Sequence, residues 1–407
     1  MAHALAGKPV QEQDIIDVQT IVDAYFDNVP DMTNPTQLVS FGTSGHRGTS
    51  VDGTFTDLHV AAITQAICDG RKQFGATGPI FVGQDTHALS QPALVTVLEV
   101  LAGNGVTAMV DCDMAFVPTP SVSRAIIRYN EEHDDKADGI IITPSHNPPD
   151  NGGIKYNTII GGPADTVVTK WIEMRANEYL TAYCESEDFK RISIDNIEPT
   201  AQVPYDYKGL YVEELGDVIN MEAIKAAGPK VLVDTLGGSG ASYWNAIKER
   251  YGLDLTIIHD DYDPTFSFMT YDHDGKVRMD CSSTYVMASV INRIGDFDLA
   301  VGNDPDYDRY GIVVSSGLIS ANTFLTLAAR YLFTTRGWKN KGVGKTVVCT
   351  TMIDKWAADA ETPVFEVPVG FKYFSQLLFD GAIGIGGEES AGASFLKKDG
   401  KIGRAHV

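Results

Sequence analysis

The sequence predicts an α/β fold, and three observations support this prediction. Short apolar stretches recur along the 407-residue chain. Several of them lead into loops rich in glycine, proline or aspartate, and segments with helical periodicity lie between them. This alternation is typical of parallel strands covered by helices. A chain of this length can form several domains with substantial buried cores.

The first predicted domain covers residues 1–205. We expect strands at 79–83 and 139–143, and helices at 58–74 and 91–103. The helix at 58–74 has apolar residues on one side: Val60, Ala61, Ile63, Ala66 and Ile67. The polar stretch 185–208, which contains Pro199 and Pro204, is interpreted as a linker.

Two more domains are predicted, at 206–318 and 319–407. The second begins with a strand at 231–234, turns through residues 237–240 into a helix starting near Ala241, and ends with a strand at 311–314. The third begins with a helix at 322–333 and adds a strand at 347–351. All three predicted domains share a strand-loop-helix plan.

The loop after the strand at 139–143 carries a candidate nucleophile, Ser145. Pro144 and Pro148 restrict the backbone on both sides of this serine, and the Asn-Gly-Gly run at 151–153 permits a sharp return. His146 and Lys155 are nearby candidates for proton transfer or phosphate binding. The alternative is a proline-rich surface turn.

The second motif places Asp304, Asp306 and Asp308 at alternate positions after an apolar stretch. Two unit charges about 4 Å apart repel by roughly 1 kcal/mol even in water, so a bound dication would relieve a real cost. Hard oxygen ligands with open coordination positions suit Mg²⁺. A calcium EF-hand does not fit, because Arg309 stands where that loop needs glycine and Ser315 where it needs glutamate. The alternative is an acidic, solvated turn, although Arg309 favours a phosphate partner.

The third motif, at 386–392, reads Gly-Gly-Glu-Glu-Ser-Ala-Gly. Its glycines permit close backbone approach, and Glu388 and Ser390 offer an acceptor and a donor that suit sugar hydroxyls. A glycine-rich strand-to-helix turn is the alternative.

In this order the three motifs resemble the alpha-D-phosphohexomutase superfamily, and within it the bacterial phosphoglucomutase family. The segment 41–48, Phe-Gly-Thr-Ser-Gly-His-Arg-Gly, is similar to the family's first active-site loop, and 367–373 is similar to its phosphosugar-orienting loop. The resemblance extends from about residue 38 to 400. It implies consecutive phosphohexomutase-type α/β domains with mixed, largely parallel sheets and helices on both faces.

The resemblance also implies roles for individual residues. Ser145 would be the phosphoserine, and one of its oxygens would bind Mg²⁺ together with Asp304, Asp306 and Asp308. Glu388 and Ser390 would hold sugar hydroxyls. Positive charge and proton transfer would come from Arg47, His146, Lys155, Arg309 and Lys372, with Lys155 as the favoured general base. Thr43, Ser44 and Gly370 would complete the substrate site, and His46 is a further candidate for phosphate contact.

The implied activity is a Mg²⁺-dependent isomerisation of α-D-glucose 1-phosphate and glucose 6-phosphate. Phosphate would pass through the serine and through glucose 1,6-bisphosphate, which serves as intermediate and activator. A phosphomannomutase or phosphoglucosamine mutase is the alternative enzyme, and a catalytically silent phosphosugar-binding protein is the alternative of another class. The segment 161–202 and the form of the third motif favour glucose.

Composition limits the partners. A net charge of −22 argues against nucleic acid and anionic membranes, so a sugar phosphate must meet a local basic cluster. Five cysteines without a Cys-x-x-Cys pair indicate reduced thiols. No signal-peptide pattern or long apolar stretch is evident, so we expect a cytoplasmic protein, either monomer or homodimer.

Three weaker patterns are rejected as functional motifs. Residues 342–346 end like a P-loop, but Lys339 stands where the first glycine belongs. Residues 238–240 begin like a dinucleotide fingerprint, but Tyr243 replaces its third glycine. His59 and His259 lack metal-binding spacing and are interpreted as structural.

The carboxyl end departs from the family pattern. A fourth domain with a phosphate-binding loop is expected in the family and is not found in these 407 residues. We expect residues 401–407 to have no family counterpart, and we expect a truncated reading frame.

Overall fold

The apolar stretches of the sequence form the strands of three sheets in the computed structural model, which describes residues 2–184 and 189–403. Each sheet contains both parallel and antiparallel neighbours. The predicted α/β class with mixed sheets is therefore confirmed.

The first sheet has six strands: β1 (His46–Thr49), β2 (Ile80–Gln84), β3 (Ala108–Asp111), β4 (Asp138–Ile142), β5 (Asn151–Asn157) and β6 (Gln202–Tyr205). Their order is β1-β5-β4-β2-β3-β6. From β4 to β6 all neighbours are parallel, whereas β5 is antiparallel to both β4 and β1. The helices of this part of the chain are α1 (Val18–Asp27), α2 (Asp57–Gly70), α3 (Ser90–Gly103), α4 (Thr119–Glu132) and α5 (Thr166–Cys184).

Strand β4 and helix α2 lie at the centre of this unit. Every residue of β4 is buried, which matches the apolar run at 139–142. The first residue, Asp138, is buried as an ion pair with Arg71. Helix α2 packs against both α3 and α5, so it is buried nearly all round and not along one side alone. It ends at Gly70, earlier than the predicted limit at residue 74.

The predicted linker at 185–208 is partly wrong. Residues 202–205 form β6, which extends the first sheet beside β3. The buried Tyr207 hydroxyl bonds the carbonyls of Val82 and Met109, and its ring contacts Phe81. These aromatic contacts stabilise a strand that the polar composition concealed. Residues 185–188 lie outside the described residues.

The second sheet contains β7 (Val231–Asp234), β8 (Leu255–Ile258), β9 (Leu299–Asn303), β10 (Tyr310–Val314) and β11 (Gly317–Ile319), in the order β11-β10-β9-β7-β8. Its helices are α6 (Tyr207–Val218), α7 (Met221–Ala227), α8 (Ala241–Tyr251) and α9 (Ala288–Ile291). The amino-terminal segment also belongs here by contact. The amide of His3 donates to the carbonyl of His273, and the amide of Val10 donates to that of Met269.

The third sheet contains β12 (Gly342–Thr346), β13 (Val364–Val367), β14 (Ile383–Gly387) and β15 (Ala393–Phe395), in the order β13-β12-β14-β15. It is accompanied by α10 (Ala321–Arg336), α11 (Met352–Asp359) and α12 (Lys372–Phe379).

The strand predicted at 347–351 is wrong, because the strand is Gly342–Thr346 and the two following valines are 55% exposed. Glycine suits β12, since a Cβ at Gly344 would lie 2.8 Å from Ile383. Close packing has overridden the β propensity of the valines.

The three sheets divide the chain near the limits 1–205, 206–318 and 319–407, which remain a proposal. Two details differ from these limits: β11 extends to Ile319, and residues 3–10 pair with the second unit. No helix in the described parts of the chain is long and apolar enough to span a membrane.

Candidate active site

Ser145 lies at the carboxyl end of β4, in a loop that brings its side chain to a buried position. Its φ of 60° is left-handed, which is uncommon for a residue other than glycine. The Ser145 amide donates to Thr143 Oγ1 at 2.7 Å, and its hydroxyl donates to Asp304 Oδ2 at 2.7 Å. The chain can return along β5 because Gly153 has no side chain. A Cβ at this position would lie only 2.2 Å from the Thr143 carbonyl oxygen. Ser145 is fully buried, so the alternative of a surface turn is wrong.

The three aspartates occupy the turn between β9 and β10. Asp304 and Asp306 are fully buried, and one carboxylate oxygen from each of the three lies within 4.8 Å of the others. The 237–240 turn supports this loop, because both the amide and the hydroxyl of Ser239 donate to the Pro305 carbonyl at 2.8 Å. A Cβ at Gly240 would lie 2.3 Å from the Tyr307 ring. These glycines therefore allow one loop to pack on another.

Burial and mutual repulsion dominate the electrostatics of this cluster. Burial, followed by Asp308 and Asp306, raises the pKa of Asp304 well above its ordinary value. Lys155 Nζ donates to Asp306 Oδ2 at 2.6 Å and to Asp308 Oδ2 at 2.8 Å. Burial opposes the charge on Lys155, but these carboxylates outweigh it and raise the pKa of the ammonium group. Lys155 is therefore a buried cation, and the alternative of a solvated acidic turn is wrong.

This donor set fits a hard dication. Three carboxylates and the Ser145 hydroxyl oxygen converge, and all are oxygen ligands of the kind that Mg²⁺ prefers. Burial and repulsion raise the pKa of Asp304 although Lys155 and Arg309 lie close to the cluster, so a dication would offset the remaining repulsion.

A cleft of about 390 Å³ opens above these buried groups. The predicted binding residues that line it come from all three units: Thr43, Ser44, Arg47, His146, Arg309, Gly370, Lys372, Glu388 and Ser390. Asp308 also lines the cleft, whereas Ser145, Lys155, Asp304 and Asp306 are buried. The structure therefore brings the predicted site residues together: the predicted binding residues and Asp308 line the cleft, and Ser145, Lys155, Asp304 and Asp306 are buried next to it.

Cationic side chains meet in this cleft despite the negative charge of the whole chain. Arg47 Nη1 donates to Asn147 Oδ1 at 3.2 Å, and Arg309 lies 3.8 Å from Asp308. Burial lowers the pKa of His146 to about 4, and Arg309 acts in the same direction. His146 is therefore neutral at pH 7 and lies 3.4 Å from the Ser145 hydroxyl through Nδ1.

Glu388 joins two loops of the third unit. Its Oε1 accepts from the Gly370 amide at 2.9 Å, so the loop at 367–373 and the third motif are held together. The φ of Gly370 is 131°, which favours glycine at this position. Burial raises the pKa of Glu388 to about 7.

The position of His46 does not support the predicted phosphate contact. It is only 3% exposed, and its ring nitrogens bond the backbone of Ser40 and Thr54. Its ring stacks on His59, which in turn bonds the Gln37 carbonyl at 2.8 Å. Both histidines are structural, as predicted for His59.

The other weak patterns also have structural roles. Lys345, in the rejected P-loop pattern, pairs with Asp354 and Glu366 from within β12. His259 pairs with Asp234 at 2.8 Å. Of the described residues in the 161–202 segment, only Pro163 lines the cleft, so the geometry gives this segment little part in sugar choice.

The sequence analysis missed three supporting residues. Thr119 donates through its hydroxyl to Asp306 Oδ2, and Asp85 and His87 lie beneath the Ser145 loop. Asp85 and His87 directly follow β2, the parallel neighbour of β4, and that position is a usable signal. For Thr119 the sequence indicated only that a helix begins next to Pro120.

Comparison with known proteins agrees with this architecture. Three models described as phosphoglucomutase/phosphomannomutase alpha/beta/alpha domains I, II and III match residues 38–182, 210–317 and 320–406. The third match includes residues 401–406, which we expected to have no family counterpart.

Solved structures share the fold. A Paramecium parafusin (phosphoglucomutase) in an open form gives a TM-score of 0.72 at 20% identity, covering 90% of this chain and 68% of that one. A phosphoglucomutase/phosphomannomutase family protein from Burkholderia thailandensis gives 0.68 at 21% identity, covering 90% and 75%.

Relatives found by sequence identify the family more narrowly than the shared fold does. A phosphoglucomutase from Saccharomyces cerevisiae, phosphoglucomutase 1, is 29% identical, and the match covers 88% of this chain and 66% of that protein. A phosphoglucomutase from Komagataeibacter xylinus is 47% identical over 402 residues, covering 98% of this chain and 72% of that protein. The chain therefore belongs to the phosphoglucomutases of the alpha-D-phosphohexomutase superfamily, which are isomerases of carbohydrate metabolism.

Proposed function

We propose that Ser145 carries the phosphoryl group that this chain exchanges with positions 1 and 6 of glucose. The observation that carries the proposal is the Ser145 hydroxyl, which lies 2.7 Å from a buried carboxylate at the base of a cation-lined cleft. Phosphorylated Ser145 would donate its phosphoryl group to a hydroxyl of a glucose monophosphate, forming glucose 1,6-bisphosphate. The other phosphate of the bisphosphate would then return to the serine.

The cleft residues would bind and orient the sugar phosphate. Arg47, Arg309 and Lys372 offer positive charge to the phosphate that does not react. Glu388 and Ser390 offer hydrogen bonds to sugar hydroxyls. Because the bisphosphate must turn around between the two transfers, these contacts have to accept two orientations.

Asp304, Asp306, Asp308 and the Ser145 oxygen would hold Mg²⁺. The bound ion would neutralise negative charge on the transferring phosphoryl group. Positioning by the loops would supply much of the remaining acceleration.

The attacking sugar hydroxyl must lose a proton, and Lys155 remains the proposed base. The attraction of Asp306 and Asp308 holds the proton on Lys155, so its action as a base depends on those carboxylates being engaged elsewhere. His146 is neutral at pH 7 and offers an alternative acceptor in the cleft.

Labelling with glucose 1,6-bisphosphate carrying radioactive phosphate tests the assignment. We expect one phosphate on Ser145 by peptide mapping and none on the Ser145→Ala variant. Ser44 and Ser390 also line the cleft, so label on either of them would overturn the assignment.

Sugar choice is tested by steady-state rates with glucose, mannose and glucosamine 1-phosphates. The proposal expects glucose to have the highest kcat/KM. A chain that binds these sugars and takes up no label would instead be a silent binding protein.

A further inference from the structure

A buried carboxylate and imidazole lie beneath the nucleophile loop, and the proposed chemistry does not use either of them. Asp85 and His87 follow β2, whose residues pair in parallel with β4 immediately before the Ser145 loop. Asp85 is fully buried and His87 is 1% exposed. The Asp85 amide donates to the Ile142 carbonyl at 3.0 Å, which fixes this turn against the end of β4.

The pair contacts the nucleophile loop on both sides of Ser145. On one side, the Ser145 amide donates to Thr143 Oγ1 at 2.7 Å, and that hydroxyl donates to Asp85 Oδ2 at 2.6 Å. On the other side, His87 Nε2 lies 3.0 Å from the Asn147 carbonyl oxygen. His87 Nδ1 lies 2.9 Å from Asp85 Oδ2, and this contact connects the two sides. A continuous chain of hydrogen bonds therefore spans residues 143–147.

Both ring nitrogens of His87 face acceptors, a side-chain oxygen of Asp85 and a backbone carbonyl oxygen, and this geometry favours the protonated imidazole. Burial disfavours the charge on His87, but Asp85 overcomes this effect and raises the pKa of the imidazole. The other groups that contact the pair are Ser90, whose hydroxyl donates to Asp85 at 2.5 Å, and the ring of Phe266.

Ser145 needs such support because its backbone is left-handed and carries a side chain. A residue in this region persists only where its surroundings hold it. The φ of Ser145 determines where its hydroxyl points, and hence its distance from Asp304.

We infer that Asp85, His87 and Thr143 are positioning residues that fix the Ser145 backbone for phosphoryl transfer. They do not contact the cleft, since none of them lines it. The inference rests on the proposed role of Ser145.

Rapid-quench measurement of phosphoryl transfer from glucose 1,6-bisphosphate to the serine tests this inference. His87→Gln and Thr143→Val remove the bonds on either side of Ser145. We expect each variant to lower the transfer rate and kcat by about tenfold or more, with KM and Mg²⁺ affinity changed by less than about threefold. Thr143→Ser keeps the hydroxyl and should recover the rate to within about threefold of the parent chain.

His59→Gln is the matched control, because His59 is also a buried histidine that bonds a backbone carbonyl, but its hydrogen bonds go to Thr56 and Gln37 and not to residues 143–147. Its first-order transfer rate should stay within about twofold of the parent rate. Because this rate does not depend on the amount of folded protein, lost stability alone cannot imitate the expected result.

Parent-like rates in both His87→Gln and Thr143→Val would overturn the inference. So would a loss in Thr143→Ser equal to that in Thr143→Val. A separate result would contradict the proposed function: uptake of radioactive phosphate by the Ser145→Ala variant. Loss of label in Ser145→Ala together with full rates in the other variants would remove the positioning role alone.

Discussion

The hydroxyl of Thr119 donates to Asp306 Oδ2 at 2.7 Å, and its amide donates to the Asp306 carbonyl at 2.9 Å. Thr119 begins α4 in the first unit, whereas Asp306 belongs to the second. Both residues are fully buried. Thr119 therefore joins the unit that carries Ser145, the proposed nucleophile, to the loop that carries the three aspartates.

Thr119→Val should weaken Mg²⁺ binding about three- to tenfold and lower the free energy of unfolding by about 1–2 kcal/mol. The variant removes a buried donor and leaves the Asp306 carboxylate less well fixed. Isothermal calorimetry measures the affinity, and Thr119→Ser should restore it.

Thr64→Val is the matched control, since Thr64 is a buried helical threonine that donates to the Val60 carbonyl. It should lower stability without changing Mg²⁺ affinity. Equal affinity in Thr119→Val and the parent chain would show that the contact only stabilises the fold.

Asp306→Asn should weaken Mg²⁺ binding at least about tenfold and slow phosphoryl transfer. The amide removes one anion from the donor set, and it also removes one of the two carboxylates that pair with Lys155. Calorimetry on folded protein provides the measurement. An unchanged affinity would exclude Asp306 from the metal site.

The activity should depend on Glu388 near neutral pH, because burial raises the pKa of this carboxyl to about 7. Its ionised form is the stronger acceptor for a sugar hydroxyl. We expect kcat/KM to fall about tenfold between pH 8 and pH 6 through protonation of Glu388 alone.

Glu388→Gln cannot ionise, so this step should be absent from its pH profile while titration of the substrate phosphate remains. Superimposable profiles for the variant and the parent chain would argue against the role of Glu388.

Stability should fall in mild acid because of His46 and His59. Burial lowers the pKa of both from 6.5 to about 4. Above pH 6.5 both histidines are neutral in the folded and in the unfolded chain, so they do not change the free energy of unfolding. As pH falls from about 6.5 towards 4, the unfolded chain binds protons that the folded chain excludes, so stability is lost, by up to about 3 kcal/mol for each histidine.

Urea unfolding between pH 7.5 and pH 5 measures this loss. His59→Gln should make the decline shallower. An equal slope in the variant would show that His59 does not contribute.

Continuous motifs were the part of the site that the sequence predicted best. Ser145 and Asp304 each follow an apolar strand, so the sequence indicated that each lies in a loop at a strand end, and the family resemblance implied that the two loops meet. Thr119 and His87 have no unusual composition around them, and their roles depend on contacts between distant segments. His46 shares a motif with Arg47, yet neighbouring positions on β1 face opposite sides, and the sequence did not show which residue faces the cleft.

Two secondary-structure errors have related causes. The strand β12 is rich in glycine, because Phe374 and Ile383 need the space that side chains would fill. The strand β6 is polar and contains Pro204, yet the neighbouring tyrosines hold it to the sheet. In both cases packing against distant residues outweighed local propensity.

The pairing of residues 3–10 with the second unit has a consequence for biosynthesis. The Gln11 amide donates to the Tyr271 hydroxyl, a partner 260 positions later in the chain. During synthesis, residues 3–11 leave the ribosome long before residues 269–273. Residues 3–11 therefore cannot form these contacts until the whole first unit has emerged. Contacts of such long sequence separation form slowly. We therefore expect the pairing of this segment to be a late step of folding during synthesis.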